Sequence, residues 1–271
     1  MSSSRSNEYR PPRKVEYFET PQEILGAVYD AILDHQKVWE TSGTIHSNVN
    51  PDILYLGCSS PTSRERGFLK ATKNQTFKNP MFQSVMALSN SILGRQTYPL
   101  DYLDDLESFY YIIAWFSMAY TGPGKRRPRS DLPDVLACWT SDPFSREAVL
   151  EKEAMLFGGG FGFGNVCSFF GGYTMERLLQ GLHSILRGRY LEKLAFGRVM
   201  TWEEMNMAAQ VAYTDFLWEL QVTMKMLDGM DSNKRSLSLI VSHGGLFPED
   251  LDVLVERYKA MGYEFEEEED W

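Results

Sequence analysis

The sequence predicts a mainly α-helical domain built around one buried central helix, with little sheet. Capped amphipathic segments recur along the chain, the stretch Asp101 to Tyr120 is apolar round its body, and only one short segment reads as a strand. At 271 residues the chain can bury one good core or two small ones. Hydrophobic residues at 43% and charged residues at 24% are ordinary for a soluble globular protein.

Residues 1–18 are polar and rich in Ser, Arg and Pro. They read as a flexible arm without the apolar run of a signal peptide. Thr20-Pro21-Gln22-Glu23 has the form of a capping box with proline at the first helical position. Ile24, Leu25, Val28, Tyr29, Ile32, Leu33 and Val38 follow at helical spacing, and Gly43 supplies the stop. Ile53 to Leu56 reads as a short strand ended by Gly57, and Cys58 to Pro99 as a basic loop with weak helical character from Phe82 to Leu93.

Asp101 to Tyr120 predicts the central helix. Asp101, Asp104, Asp105 and Glu107 suit the positive end of its dipole, and Tyr110 to Phe116 is apolar all round. The charge-free run Ser108 to Gly124 has polar ends, so its apolar part falls short of the ~20 residues a bilayer span needs. Gly122-Pro123-Gly124 and the basic Lys125 to Arg129 then break the chain. Further helices are predicted at Ser145–Leu156, Thr174–Gly188, Trp202–Leu227 and Pro248–Met261. Thr201 and Glu204 form a second capping box, with Gly229 and Gly262 as stops. The organisation read from this is an arm (1–18), a helical body (19–262) and an acidic tail (263–271).

The formal net charge of −10 owes much to that tail, where Glu264 to Trp271 holds six acids. Such a balance argues against general nucleic-acid binding, which needs a basic footprint. Cys58, Cys138 and Cys167 lie far apart, and the four histidines are scattered, which fits neither a disulfide framework nor a zinc site. The expectation is an intracellular protein of the cytoplasm or nucleus, with no membrane span and no metal. Lys125 to Arg129 reads as a solvated loop, a nuclear-import signal or a contact for an acidic partner. Gly158 to Gly164 has a Gly-x-Gly-x-Gly pattern, but it follows a helix rather than a strand and reads as a helix cap and loop.

The order of these pieces carries a resemblance. A long amphipathic helix leads into Thr44-Ile45-His46-Ser47-Asn48-Val49-Asn50-Pro51-Asp52-Ile53-Leu54, and Leu103-Asp104-Asp105-Leu106-Glu107-Ser108-Phe109 comes later. Together they resemble the C-terminal lobe of the fungal-type protein kinase family. There a similar helix precedes a His-Arg-Asp-Ile-Ser-Pro-Gly-Asn-Ile-Leu catalytic loop, and an Asp-Leu-Glu-Ser helix comes after the activation segment. Trp139 to Phe157, with its tryptophan and later lysine, resembles the next stretch of the family's chain. The likeness covers residues 20–157, and its most specific segment is also similar to casein-kinase-like enzymes. It implies a kinase-like C-lobe with no N-lobe, since no glycine-rich loop or Val-Ala-x-Lys strand precedes the first helix.

Phosphoryl transfer needs a carboxylate at the substrate hydroxyl, oxygens for magnesium and a lysine on the phosphates. By the resemblance, Asn48 stands where the catalytic aspartate is expected, and an amide is no useful base. Ser47 stands for the arginine, and His46 matches a structural histidine. Asp52 meets the magnesium-binding asparagine only across a one-residue gap, and a lone carboxylate is a poor magnesium site. No counterpart of the Asp-Phe-Gly aspartate is found: Glu65 is the only acid between Asp52 and Asp101. Gly67-Phe68-Leu69 marks the matching strand, which puts Lys70 or Ala71 at the metal position, and Ser89 stands where a glutamate comes after Val85-Met86-Ala87-Leu88. The scaffold positions Asp105, Glu107 and Ser108 remain. In kinases the aspartate matching Asp105 accepts hydrogen bonds from catalytic-loop amides.

The expectation is therefore a catalytically inactive pseudokinase without cofactors, acting through a protein partner. Two alternatives stay open. One is a divergent or trans-completed kinase that uses ATP and magnesium. The other is a structural helical protein whose likeness to kinases is accidental.

Overall fold

The computed structural model describes residues 11–58, 65–70, 79–94, 99–160, 164–195 and 200–232. The chain divides into two compact units, Met1–Leu227 and Asp228–Trp271. Of the second, only residues 228–232 are described. The helix expected at Pro248–Met261, the stop at Gly262 and the acidic tail lie outside the described residues.

The first unit is mainly helical. In chain order it holds β1 (Arg13–Lys14), α1 (Pro21–Ser42), β2 (Leu54–Leu56), β3 (Gly67–Leu69), α2 (Val85–Ile92), α3 (Tyr102–Ala119), β4 (Tyr120–Gly122), β5 (Lys125–Arg126), α4 (Asp134–Ser141), α5 (Arg146–Phe157) and α6 (Tyr173–Ala195), and α7 (Trp202–Ser232) begins in it. No helix among the described residues is long and apolar enough to cross a membrane.

α3 is the centre: every residue from Tyr102 to Ala119 is buried, acids included. α1 and α6 pack on it, and α2 packs on α5. Fully burying one of its large apolar side chains contributes about 1.5–3 kcal/mol, so this helix dominates the core.

α1 starts as its sequence directs. The Thr20 side chain accepts from the Glu23 amide at 3.3 Å, Pro21 opens the helix, and Gly43 closes it in the left-handed conformation at φ 64°. The Glu23 carboxylate reaches one residue further back than a capping box requires, to the Glu19 amide at 2.7 Å. Beneath α1 lies an antiparallel sheet in the order β1-β2-β3, with Tyr55 opposite Phe68. Gly67 allows the helix to rest on the strand: a Cβ there would stand 2.6 Å from Ala27 Cα and from the Tyr55 carbonyl oxygen.

The structure departs from the sequence expectation in several places. Residues 13–18, expected in the arm, contribute β1 and then bury Val15 and Phe18. Phe18 sits 5.7 Å from Phe116 and 5.6 Å from Phe170, closing an aromatic cluster at the far end of α3. α4 carries no side-chain cap and was invisible in the sequence. α6 continues past Gly188 to Ala195, and α7 runs through Gly229 to Ser232. A single glycine costs a helix interior only about 1 kcal/mol, and in α6 the burial of Tyr190 and Lys193 beyond Gly188 outweighs it. Val38, placed on the apolar face of α1, is 48% exposed.

Candidate functional site

The candidate site is the loop from His46 to Asp52, which joins α1 to β2 and rests on the first turns of α3. Its anchor is Asp105, 1% exposed. One carboxylate oxygen accepts from the His46 amide at 2.5 Å, and the other accepts from the Ser47 amide at 2.9 Å. Ser47 has φ 61°, the one non-glycine residue in the left-handed region among those described. Such a conformation costs about 1–2 kcal/mol, and the two amide contacts offset it.

Asp105 takes a third bond, from His35 on α1, with 2.8 Å between Nε2 and Oδ2. A carboxylate already accepting from two amides accepts here too, so Nε2–H donates. The His35 Nδ1 is hydrogen-bonded to the Tyr213 hydroxyl of α7 at 2.6 Å. Burial, reinforced by the charge of Asp105, pushes the Tyr213 phenol well above its ordinary range. One buried line thus runs from α7 through α1 to α3 and ends on the loop.

Asn48 is buried with its amide engaged. Its Oδ1 accepts from the Asn50 side chain at 3.1 Å and from the Asn79 amide at 3.2 Å. Asn50, also buried, donates to the Asn48 carbonyl at 2.8 Å and accepts from the Asp52 amide at 2.9 Å. Two amide side chains therefore knit the loop to itself and to the segment before α2. Asp52 itself is exposed at the turn that opens β2. No group of three or more His, Cys, Asp or Glu side chains is placed to hold a metal ion among the described residues. Burial lowers the pKa of His46, opposed by the charge of Asp105, and its Nδ1 has no hydrogen-bond partner among the described residues. Lys70 lies with its Nζ 5.5 Å from the Tyr55 ring centroid, while Ala71 is outside the described residues.

The other scaffold positions stand in a second buried polar cluster. Glu107 accepts from the Val85 amide at 2.8 Å, from the Tyr190 hydroxyl at 2.7 Å and from Tyr111. Burial raises its pKa, opposed by these bonds. Among the described residues Ser108 bonds only along its own helix, to the Asp104 carbonyl at 2.9 Å. Asp104 accepts from Ser84 and from the Asp101 amide, and burial next to Asp101 pushes its pKa up to about 7. Asp101 pairs with Lys193 of α6 at 2.7 Å.

Trp139 and Lys152, the tryptophan and later lysine of the sequence, meet here. Lys152 Nζ lies 4.9 Å from the Trp139 ring centroid and 4.1 Å from that of Tyr111. It donates to the carbonyls of Met81 at 2.8 Å and Gln83 at 3.0 Å. Burial lowers its pKa to about 7. Ser89, on α2, is buried.

The glycine-rich segment is a helix ending, as its position after a helix implies. Gly158 follows α5, and the α5 carbonyls of Met155 and Leu156 meet His183 Nε2 at 3.1 and 3.0 Å. Residues 161–163 lie outside the described residues.

Sequence reasoning missed His35, Tyr213 and Lys193. His35 carried a signal, because it interrupts the apolar stripe Val28-Ile32-His35-Trp39 of α1. Tyr213 falls between Ala209 and Phe216 on the buried stripe of α7, where a tyrosine looks like any core aromatic. Compared with known proteins, the chain matches no family model, no curated protein and no solved structure.

Proposed function

We propose that this chain is a pseudokinase-like interaction module: a kinase-type C-terminal lobe that keeps the loop-holding framework and has lost the phosphate-transfer groups. The observation that carries the reading is the grip of Asp105 on the amides of His46 and Ser47, which lie 59 and 58 positions away in sequence. The resemblance implies this pair of contacts, and an accidental likeness gives no reason for it. At the position implied for the catalytic base stands Asn48, whose oxygen is occupied by Asn50 and Asn79. A neutral amide engaged in this way neither takes a proton nor holds magnesium. The function is then binding to a protein partner.

The test is a thermal titration of the purified chain with ATP, with and without magnesium. A ligand specific for the folded state raises stability by ~2.7 kcal/mol at a hundredfold excess over its dissociation constant. The expected result is no magnesium-dependent rise in melting temperature at millimolar ATP. A clear rise, lost in Asp52→Ala, would replace this reading by the divergent kinase.

A further inference from the structure

We infer that the β4–β5 hairpin and the turn after it, Lys125–Arg129, form a docking surface for an anionic peptide segment of a partner protein. The inference rests on the interaction-module reading and gives that partner a chemistry.

The hairpin is tied to the end of α3. It begins at Tyr120, the residue that caps α3, and the Arg127 amide donates back to the Ala119 carbonyl at 2.8 Å. Thr121 Oγ1 donates to the Lys125 carbonyl at 3.2 Å across the two strands. The Arg126 guanidinium carbon lies 4.7 Å from the Trp115 ring centroid, although Arg126 itself is exposed. Trp115 is in turn fixed edge-on to Phe82 at 6.3 Å. An arginine laid on a buried indole keeps its planar donor fork while losing little side-chain freedom, which favours bidentate binding of a carboxylate or phosphate.

The cations of this surface are also unspent. Elsewhere on the described surface Arg13 pairs with Glu23, Lys37 with Asp34, Arg66 with Asp30 and Arg189 with Glu192. Among the described residues, none of Lys125, Arg126, Arg127 and Arg129 pairs with a carboxylate. The nearest acid in sequence, Asp131, accepts from Ser130 at 2.8 Å instead. Arg127 Nε is buried without a hydrogen-bond partner among the described residues. A cluster of four cations on a chain of net charge −10 is a local reversal of sign. It attracts a short anionic segment, while the acidic remainder repels the long uniform charge of a nucleic acid.

The experiment is fluorescence anisotropy of the full chain with three labelled peptides of equal length: Glu-rich, phosphoserine-containing and a neutral Gln-rich control. A single-stranded DNA of matched charge completes the set. The expected result is binding of one or both anionic peptides, weakening as salt rises, and none of the neutral one. A preference between the two anionic peptides assigns phosphate or carboxylate as the recognised group. Exposed ion pairs contribute roughly two- to fivefold each, so Lys125→Gln/Arg126→Gln/Arg129→Gln should weaken binding by about tenfold or more. Should that variant melt early, Arg126→Lys keeps the charge, removes the fork, and should still lose about twofold or more. No binding at low salt, unchanged binding in both variants, or preference for the DNA overturns the inference. The ATP titration is read separately. A magnesium-dependent shift alongside intact peptide binding defeats the pseudokinase reading and leaves this surface standing.

Discussion

Asp105→Ala is the most informative single change in this molecule. It removes the acceptor for three donors, the His46 amide at 2.5 Å, the Ser47 amide at 2.9 Å and His35 Nε2 at 2.8 Å, from a site that is 1% exposed. A buried donor stripped of its partner costs about 1–3 kcal/mol. The loop is half-buried, so water recovers part of this, and His35 keeps Tyr213 at 2.6 Å. A loss of about 3–5 kcal/mol remains, a large share of the ~5–15 kcal/mol that holds a domain together. Asp105→Asn should lose somewhat less, about 2–4 kcal/mol, because one oxygen still accepts while the new amide faces a donor. Ser108→Ala, three residues along the same buried helix, should cost less than about 1 kcal/mol, since among the described residues its hydroxyl meets only the Asp104 carbonyl already used by the helix. Urea unfolding followed by tryptophan fluorescence gives the three values, and hydrogen exchange reads the loop directly. In Asp105→Asn the amides of residues 46 and 47 should lose protection ahead of the α3 core. If that variant costs under about 1 kcal/mol, or both amides stay protected, Asp105 does not hold the loop.

The buried ionisable groups make further predictions. The folded pKa of Lys152, about 7, lies below its ordinary 10.5, so between these values the unfolded chain holds a proton that the folded chain has lost. Stability should therefore rise across that window, and Lys152→Met should lack the rise; parallel denaturation series at neutral and alkaline pH decide it. Asp104 behaves in the opposite sense: its folded pKa of about 7 stands above the ordinary 3.8, so stability falls as pH rises between these values. Asp104→Asn should flatten that slope, a difference on the order of 1 kcal/mol or more in the same assay. Gly43→Ala places a Cβ 2.8 Å from Trp202 Cζ3 at a φ of 64°, and thermal unfolding should show a loss of about 2 kcal/mol or more. An unchanged melting temperature would mean that α1 ends in another way.

Features written locally in the chain were the ones the sequence disclosed. The limits of α1 were legible because Thr20, Pro21 and Gly43 act on backbone within a few residues. The central helix was legible because eighteen residues with no polar stripe after the first two turns admit no exposed face. α4 was not, because its cap bonds are made by the Pro133 carbonyl rather than by a side chain. The extension of α6 past Gly188 goes with the burial of Tyr190 and Lys193, which no local rule records. At the site, Asp105 was readable only through a motif, since its donors come from a loop far back in sequence. Lys152 looked like one more charge on an amphipathic helix, and only the fold places it between Tyr111 and Trp139.

Acids in the first turns of a helix usually complement its dipole from the surface. Those of α3 instead go inside, and each holds a different stretch of backbone. Asp101 accepts from the Leu103 amide and pairs with Lys193, Asp104 returns to the Asp101 amide and takes Ser84, Asp105 holds residues 46 and 47, and Glu107 holds Val85. Two separate segments, the 46–52 loop and the run into α2, are thereby fixed to one helix, and Asn48 ties them to each other through Asn79. Burying four carboxylates between Asp101 and Glu107 costs more stability than apolar side chains of similar size would. A catalytic carboxylate must keep one oxygen toward substrate, whereas Asp105 spends both on loop amides and Glu107 both on an amide and two phenols. These two side chains therefore fix backbone on either side of α3.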